Sequence, residues 1–312
     1  MKQKTLKIGN KTLKNNVVIA PMAGFTDKAF RSLCFGLGAG FCVTEMVSAK
    51  GLVYKNDHTR ELLFCGDDLP YTAAQIFGGE PDIMRAACES EDLAPFDIID
   101  INMGCPVPKI FNNGEGSSLL GDLDRASAII SECAKSGKTI TVKFRVGIAD
   151  NGLIAPLFAK MCEDSGASAI TIHGRTRQGM YSGEIYYDQI EKAKKAVKIP
   201  VIANGGIFTE SDADVMFEKT GADGIALARG VLYNPLLITE IIHEKTEKSL
   251  KDCAFYLLDE RVKYMPDKIA AHGMRKFLSQ ILRGVRGGKE AKLKIFEADS
   301  VAEIKQILDE VL

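Results

Sequence analysis

Residues 140–204 read ITVKFRVGIADNGLIAPLFAKMCEDSGASAITIHGRTRQGMYSGEIYYDQIEKAKKAVKIPVIAN. Three short β-rich runs, ITVKF, AITIH and PVIAN, are separated by segments whose apolar residues recur at helical spacing. The rhythm extends in both directions, with VVIA, FCVT, TAAQI and DIIDIN before this stretch and GIALA after it. Strands are therefore expected to end near Ala20, Thr44, Ile76, Asn102, Phe144, His173, Asn204 and Ala228. Each interval accommodates one helix and two loops, the size of a βα unit. Eight such units predict an α/β fold, a (β/α)8 TIM barrel, which typically takes roughly 250 residues. The other arrangement of such units, an open doubly wound sheet, rarely needs eight regular ones. Beyond Leu250 the strand runs cease, and helices are expected, for instance Lys268 to Val285 and Val301 to Leu312. The expected organisation is a barrel over residues 1–250 and a small all-helical domain over residues 251–312.

The ends of the expected strands carry chemically capable residues: Met22 and Ala23, Glu45, Gln75, Asn102 and Cys105, Lys143 and Arg145, His173 and Arg175, Asn204, and Arg229. In a barrel these converge on one face, where active sites of this architecture lie. Gly205 and Gly206 follow the seventh strand, and Ala228-Arg229-Gly230 follow the eighth. Loops in those two places often form a phosphate site, because glycine lets backbone N–H groups approach closely and arginine adds charge. Alternation places Lys143 and Arg145 on the same side of their strand, toward the barrel interior or mouth. A buried lysine needs an anionic or hydrogen-bonding partner, and a flavin's pyrimidine edge, anionic when reduced, is one. A lone strand-end histidine such as His173 reads most simply as a satisfied core residue; beside Lys143 it can also bond the same ring or a phosphate.

Cys105 stands in Asn102-Met103-Gly104-Cys105-Pro106, directly after the fourth strand. Proline holds the preceding residue in extended or turn conformations, so the thiol is expected at the barrel mouth. The segment Asn112-Asn113-Gly114-Glu115-Gly116-Ser117-Ser118 that follows has the composition of a mobile loop over an active site. A free thiol titrates near 8.5, so it is a competent acid at neutral pH. General acid, covalent nucleophile and inert thiol all remain open from the residues alone.

The 312-residue chain is 46% apolar and 26% charged, with 40 Lys+Arg against 41 Asp+Glu. This is an ordinary globular composition, which argues against disorder and coiled coil. No stretch of eighteen uncharged apolar residues occurs, so no membrane span is expected. The eight cysteines show no CxxC and no zinc-ligand spacing, so no metal site is expected and the thiols read as reduced, in the cytoplasm.

Taken together, these residues resemble the tRNA-dihydrouridine synthase family. The matching segments are Ala20-Pro21-Met22-Ala23-Gly24 with Thr26-Asp27 and Phe30-Arg31, Thr44-Glu45-Met46, Gln75, and Asn102-Met103-Gly104-Cys105-Pro106. They continue through Lys143-Phe144-Arg145, His173-Gly174-Arg175-Thr176, Asn204-Gly205-Gly206 and Arg229-Gly230. The resemblance implies FMN held by Pro21, Met22, Ala23, Gln75, Lys143, His173, Asn204, Gly205, Gly206, Ala228 and Arg229. It implies that NADPH or NADH reduces the FMN, that hydride passes from flavin N5 to uracil C6, and that Cys105 protonates C5. Asn102, Lys109, Arg145 and Arg175 are the implied substrate contacts at the mouth, with Arg275 and Lys276 on the tail and tRNA as partner of a monomeric enzyme. Three features depart from the family pattern: Gly206 where many relatives carry an acidic residue, Ala228 where glycine is usual, and the absence of Trp.

The tail gives an independent reading. On a helical wheel Ala270, Met274, Phe277, Leu278, Ile281, Leu282 and Val285 fall on one side, and Lys268, His272, Arg275, Lys276, Arg283 and Arg286 on the other. Residues 261–295 carry ten Lys/Arg and two Asp/Glu, a net of +8, so the near-balanced total conceals an acidic remainder and a basic tail. A basic stripe favours a phosphate backbone partner. Two other readings compete: a flavin barrel acting on a free pyrimidine, which predicts no basic tail, and an RNA-binding protein that no longer catalyses. Deleting residues 251–312 is the natural way to separate the first of these from a tRNA enzyme.

Overall fold

The computed structural model describes residues 4–64 and 72–312. Two short antiparallel strands open it, β1 (Leu6–Ile8) and β2 (Lys11–Leu13). Eight parallel strands follow: β3 (Val17–Ile19), β4 (Phe41–Ser48), β5 (Thr72–Phe77), β6 (Ile98–Met103), β7 (Thr139–Arg145), β8 (Ala169–His173), β9 (Val201–Asn204) and β10 (Gly224–Leu227). They pair in chain order and close, β10 lying beside β3. Helices cross between successive strands and form the outer ring, giving the TIM barrel expected from the sequence.

The barrel has two apolar compartments. One fills the shell between strands and helices; the other fills the interior at the N-terminal end, where Val18, Phe41, Val43, Ala73, Ile98, Ala169, Ile202 and Ala226 meet. The β1–β2 hairpin, which the sequence reading missed, supplies Leu6, Ile8 and Leu13 to this second cluster and so plugs the bottom of the barrel. Its two-residue turn starts with Gly9 at φ +57, the conformation that a tight hairpin asks of its first turn residue. Two residues further along each strand, the inward positions become polar: Gln75, Asp100, Thr141 and Thr171, then Asn102, Lys143, His173 and Asn204. An apolar floor thus supports a polar upper half, and the pleat puts both on the same inward side.

The expected end of the second barrel strand at Thr44 is a bulge instead. The β4–β5 register shifts between Val43 and Met46, and the strand runs on to Ser48. The extra residue re-aims the chain. Glu45 consequently accepts the backbone N–H of Gly24, and Thr44 Oγ1 accepts that of Gln75 at 3.0 Å.

The tail folds into helices Leu250–Val262, Asp267–Ile281, Gly288–Glu297 and Val301–Asp309. The second of them stops before the expected Val285, because Gly284 and Gly287 take φ values of +82 and +76 and turn the chain back. These helices are sealed onto the barrel. Phe277 packs edge-on against Phe30 with ring centroids 5.4 Å apart, and Tyr256 and Ser32 share a hydrogen bond of 2.7 Å. Arg261, with its side chain 6% exposed, lies 2.5 Å from Asp27, whose carboxylate also caps the helix Lys28–Gly36. Removing one member of a buried ion pair leaves the other charge uncompensated. Arg261→Ala should therefore lower stability by about 3 kcal/mol in a urea titration, a much larger effect than that of an exposed pair.

The basic stripe is less free than the wheel suggested. Asp299, from the turn before the last helix, accepts Lys268 at 2.6 Å and His272 at 2.7 Å, and lies 3.8 Å from Arg275. Hydrogen bonds from Lys268 and His272 hold its carboxyl at about 2, well below the usual range. The acid that offsets the stripe is 24 to 31 residues away in sequence from these partners, which no single-helix projection contains.

Candidate active site

A cavity of about 370 Å³ opens at the C-terminal end of the strands. It contains Cys105, every residue expected to hold the cofactor, and the expected substrate contacts Asn102, Arg145 and Arg175. That size falls in the range of small-molecule sites. Lys109 lies outside it, exposed on the short helix Pro108–Asn112 and facing a separate groove. Arg275 donates to the Ala298 carbonyl at 2.8 Å within the tail. Lys276 lies nearer the mouth, its ammonium 5.3 Å from the ring of Phe25, which lines the cavity.

The floor is a buried polar network. Asp100 accepts Gln75 Nε2 at 2.6 Å and Thr141 Oγ1 at 2.6 Å, and Gln75 Oε1 in turn accepts Asn102 Nδ2 at 2.9 Å. Strand register places these residues side by side: Gln75 opposite Asp100, Asp100 opposite Thr141, and Asn102 opposite Lys143. Such a fully partnered network fixes each amide in one orientation. Burial raises the Asp100 carboxyl above its usual range, with the Thr141 and Gln75 hydrogen bonds opposing. The sequence reading did not single out Asp100; its alternation with Asn102 on one strand was the available signal.

Asn102 also places the thiol. Its Oδ1 accepts the N–H of Gly104 at 3.1 Å and of Cys105 at 2.9 Å. The segment expected to be a mobile loop folds back beneath: Ser117 Oγ donates to the Cys105 carbonyl at 2.7 Å, and Gly116, at φ +58, lies so close that a side chain there would meet Cys105 Cβ at 3.0 Å. Cys105 is 8% exposed. Burial pushes its thiol up, against the smaller pull of the Val107 N–H, Arg145 and Lys143. The thiol is therefore protonated at neutral pH, which favours acid over nucleophile.

Lys143 presents its accessible surface to the cavity and donates to Asn204 Oδ1 at 3.3 Å. Desolvation, then repulsion by Arg145, pushes its ammonium down to about 8. His173 is held well below its usual value by burial and by the surrounding arginines and Lys143, so it is a neutral ring. Arg145 spends its guanidinium on carbonyls of two mouth loops, Gly104 at 2.8 Å, Thr176 at 3.1 Å and Met180 at 2.8 Å. It therefore braces the loop that carries Cys105 against the loop after β8.

The corner expected to take a phosphate is built from β8 to β10. Gly205 takes φ +122, and a Cβ there would sit 2.9 Å from the His173 ring and 3.5 Å from Arg175 Nη1. Arg175 is 8% exposed; its Nε donates to Gly183 O at 2.6 Å, while its buried Nη1 has no partner among the described residues. A cradle that only glycine leaves open, beside an unpartnered buried guanidinium nitrogen, fits an anion such as a phosphate. Arg229 lies across the same corner, with Nη2 donating to the Tyr181 carbonyl at 2.8 Å. Tyr181 and Phe208 also line the cavity and were missed, since loop residues carry no periodic signal.

The family model for dihydrouridine synthases (Dus) matches residues 18–311. The chain is 40% identical over 240 residues to a probable tRNA-dihydrouridine synthase of Rickettsia prowazekii, covering 76% of this chain and 73% of that one. It is 41% identical over 243 residues to tRNA-dihydrouridine synthase B of Pseudomonas putida, with 76% and 71% covered. Among solved structures, the old yellow enzyme homologue of Zymomonas mobilis aligns with TM-score 0.55 at 14% identity over 80% of this chain and 95% of that one. Histamine dehydrogenase from Rhizobium sp. 4-9 aligns with TM-score 0.60 at 12% identity over 83% and 50%. At those identities the structural likeness is one of fold.

Proposed function

The chain belongs to the dihydrouridine synthase family, and from that membership we propose that it reduces the C5=C6 bond of uridines in tRNA, with FMN as its flavin and NADPH or NADH as reductant. The observation that carries this reading is a protonated, nearly buried thiol at Cys105 in one cavity with Lys143, Gln75 and His173. A flavin bound there supplies hydride chemistry, taking hydride from a nicotinamide and giving it to an electron-poor carbon.

The residues present fit that group. Lys143 offers a cation to its pyrimidine edge, while Gln75 and the backbone of Pro21, Met22 and Ala23 flank the cavity. Gly205, Gly206, Arg175 and Arg229 form the corner for a phosphate. Hydride arriving at uracil C6 leaves negative charge on C5 and O4, so the reaction is complete only when a proton reaches C5. The Cys105 S–H bond supplies it and breaks; the resulting thiolate is favoured by Arg145 and Lys143, whose charges already oppose the upward push of burial. Water then returns a proton to sulfur. The substrate base enters the barrel mouth flipped out of the RNA, because its C5=C6 edge is otherwise enclosed in a stack.

Mapping dihydrouridine in tRNA from cells lacking this protein is the direct check. Dihydrouridine should disappear from one or a few positions and return with the wild-type gene but not with Cys105→Ala. Unchanged dihydrouridine at every position would overturn the proposal.

A further inference from the structure

Arginine and aromatic side chains form one continuous line from the cavity to the tail. Arg145, which lines the cavity, has its guanidinium carbon 5.6 Å from the Tyr181 ring. The Arg229 guanidinium carbon lies 5.3 Å from the Tyr181 ring and 5.6 Å from that of Phe208. Phe208 stacks on Tyr233 with centroids 5.7 Å apart and planes 20° from parallel. Arg283, just beyond the helix Asp267–Ile281, closes the line 5.1 Å from the Tyr233 ring and donates to its hydroxyl at 3.0 Å. The rungs come from five separate places: the end of β7, the loops after β8 and β9, the helix Arg229–Tyr233, and the tail.

Burial explains the cavity end of this line, where Arg145 is 3% exposed, but not its outer part, where Arg229 and Tyr233 are half-buried. Tyr181 is 49% exposed and Phe208 37%, and Arg283 is exposed as well. Large aromatic faces left in water beside cations match the two needs of an unpaired nucleic-acid strand, a π-face for each base and positive charge for the backbone. The line begins at the cavity that takes the target base and ends at the basic tail, so a strand leaving the flipped nucleotide follows it. We propose that Tyr181, Phe208 and Tyr233, clamped by Arg229 and Arg283, form a stacking platform for the unpaired bases that flank the target uridine.

This rests on the reading of the protein as a tRNA enzyme and adds to it residues that position substrate. Because Tyr233 and Arg283 lie outside the cavity lining, their replacement leaves the flavin corner untouched. The test uses flavin-loaded enzyme and total tRNA from cells lacking the protein. Tyr233→Ala, Phe208→Ala and Arg283→Ala should each raise KM for tRNA, by about tenfold for a lost ring, a base–aromatic stack being worth about 1–3 kcal/mol. The kcat of Tyr233→Ala and Arg283→Ala, whose side chains lie outside the cavity lining, should stay within about twofold, the size of change a substrate-positioning role leaves in the chemical step. Reduction of the bound flavin by NADPH in Tyr233→Ala and Arg283→Ala should be unchanged. Tyr233→Trp and Phe208→Trp should restore KM, whereas Tyr233→Leu and Phe208→Leu should not, since a filler of similar bulk lacks the π-face.

Unmoved KM values in all three alanine variants would overturn the platform, as would leucine variants that match tryptophan. A raised KM for NADPH with an unmoved KM for tRNA would assign the line to the dinucleotide and equally overturn it. Wild-type enzyme that forms no dihydrouridine on this tRNA would overturn the function itself; active wild type with unmoved variants would overturn the platform alone.

Discussion

Cys105→Ala should leave flavin binding and flavin reduction by NADPH intact while uridine reduction falls by about 10²–10⁴, the range for a lost general acid. The substitution is well isolated. The loop around Cys105 is held through its backbone, by Asn102 Oδ1 at the N–H and by Ser117 Oγ at the carbonyl, and neither bond involves sulfur. Removing Sγ therefore deletes the proton source and the acceptor of the Val107 N–H, and leaves these two bonds in place. The pH dependence follows from the direction of the thiol's shift. An acid works only while protonated, and burial raises this thiol above its ordinary value. Wild-type activity should accordingly hold its plateau beyond the usual thiol range and fall only at higher pH. Stopped-flow measurement of the two half-reactions separates the roles: if Cys105→Ala slowed flavin reduction as much as uridine reduction, the thiol would not be the acid.

The barrel was legible because its strands are buried on both faces, so each appears as a nearly continuous apolar run rather than an alternation. VVIA, DIIDIN and AITIH all fall on strands, and the polar residues at their ends meet in one cavity. The β1–β2 hairpin escaped notice because strands of three residues are too short to display a period. The bulge at Thr44 escaped because register belongs to a pair of strands, not to one. Asp299 escaped because its partners lie on another helix, and the Tyr181–Phe208–Tyr233 line because three non-adjacent segments build it.

The seal between tail and barrel also changes how the tail must be probed. Deleting residues 251–312 would strip Phe277 from Phe30 and Arg261 from Asp27 and lay open a shared apolar core. Lost activity would then report unfolding. Exposed substitutions such as Arg283→Ala ask the same question without that ambiguity.

Lys143→Met should make the flavin-free protein more stable and the enzyme far worse. Lys143 directs its ammonium into the cavity toward Asn204, and Asp100, the nearby acid that favours its charge, already accepts Gln75 and Thr141. Burial, with repulsion from Arg145 added, has pushed it down to about 8, against the ordinary lysine value of 10.5. In the unfolded chain lysine holds its proton to higher pH than in the native state. Between about pH 8 and the ordinary lysine value the unfolded state therefore binds more protons, and native stability rises with pH across that window. Below it the full cost remains, at most about 3 kcal/mol before screening by cavity water. Methionine fills a similar volume without charge, so at pH 7 the variant should need more urea to unfold. The wild-type protein should narrow the difference as pH rises above 8. On the proposed flavin site the same change removes the charge-assisted hydrogen bond that Lys143 would give the flavin, worth about 1.5–3 kcal/mol, so flavin affinity should fall by about 10- to 150-fold. Two measurements check this together: urea midpoints of both flavin-free proteins from pH 7 to 10, and flavin affinity by fluorescence quenching at pH 7. A variant that unfolds more readily than wild type at pH 7, or that binds flavin as tightly, would show that Lys143 is a structural lysine. The opposed signs of the two effects are the mark of a charge kept in the barrel for its ligand and held there at the expense of the fold.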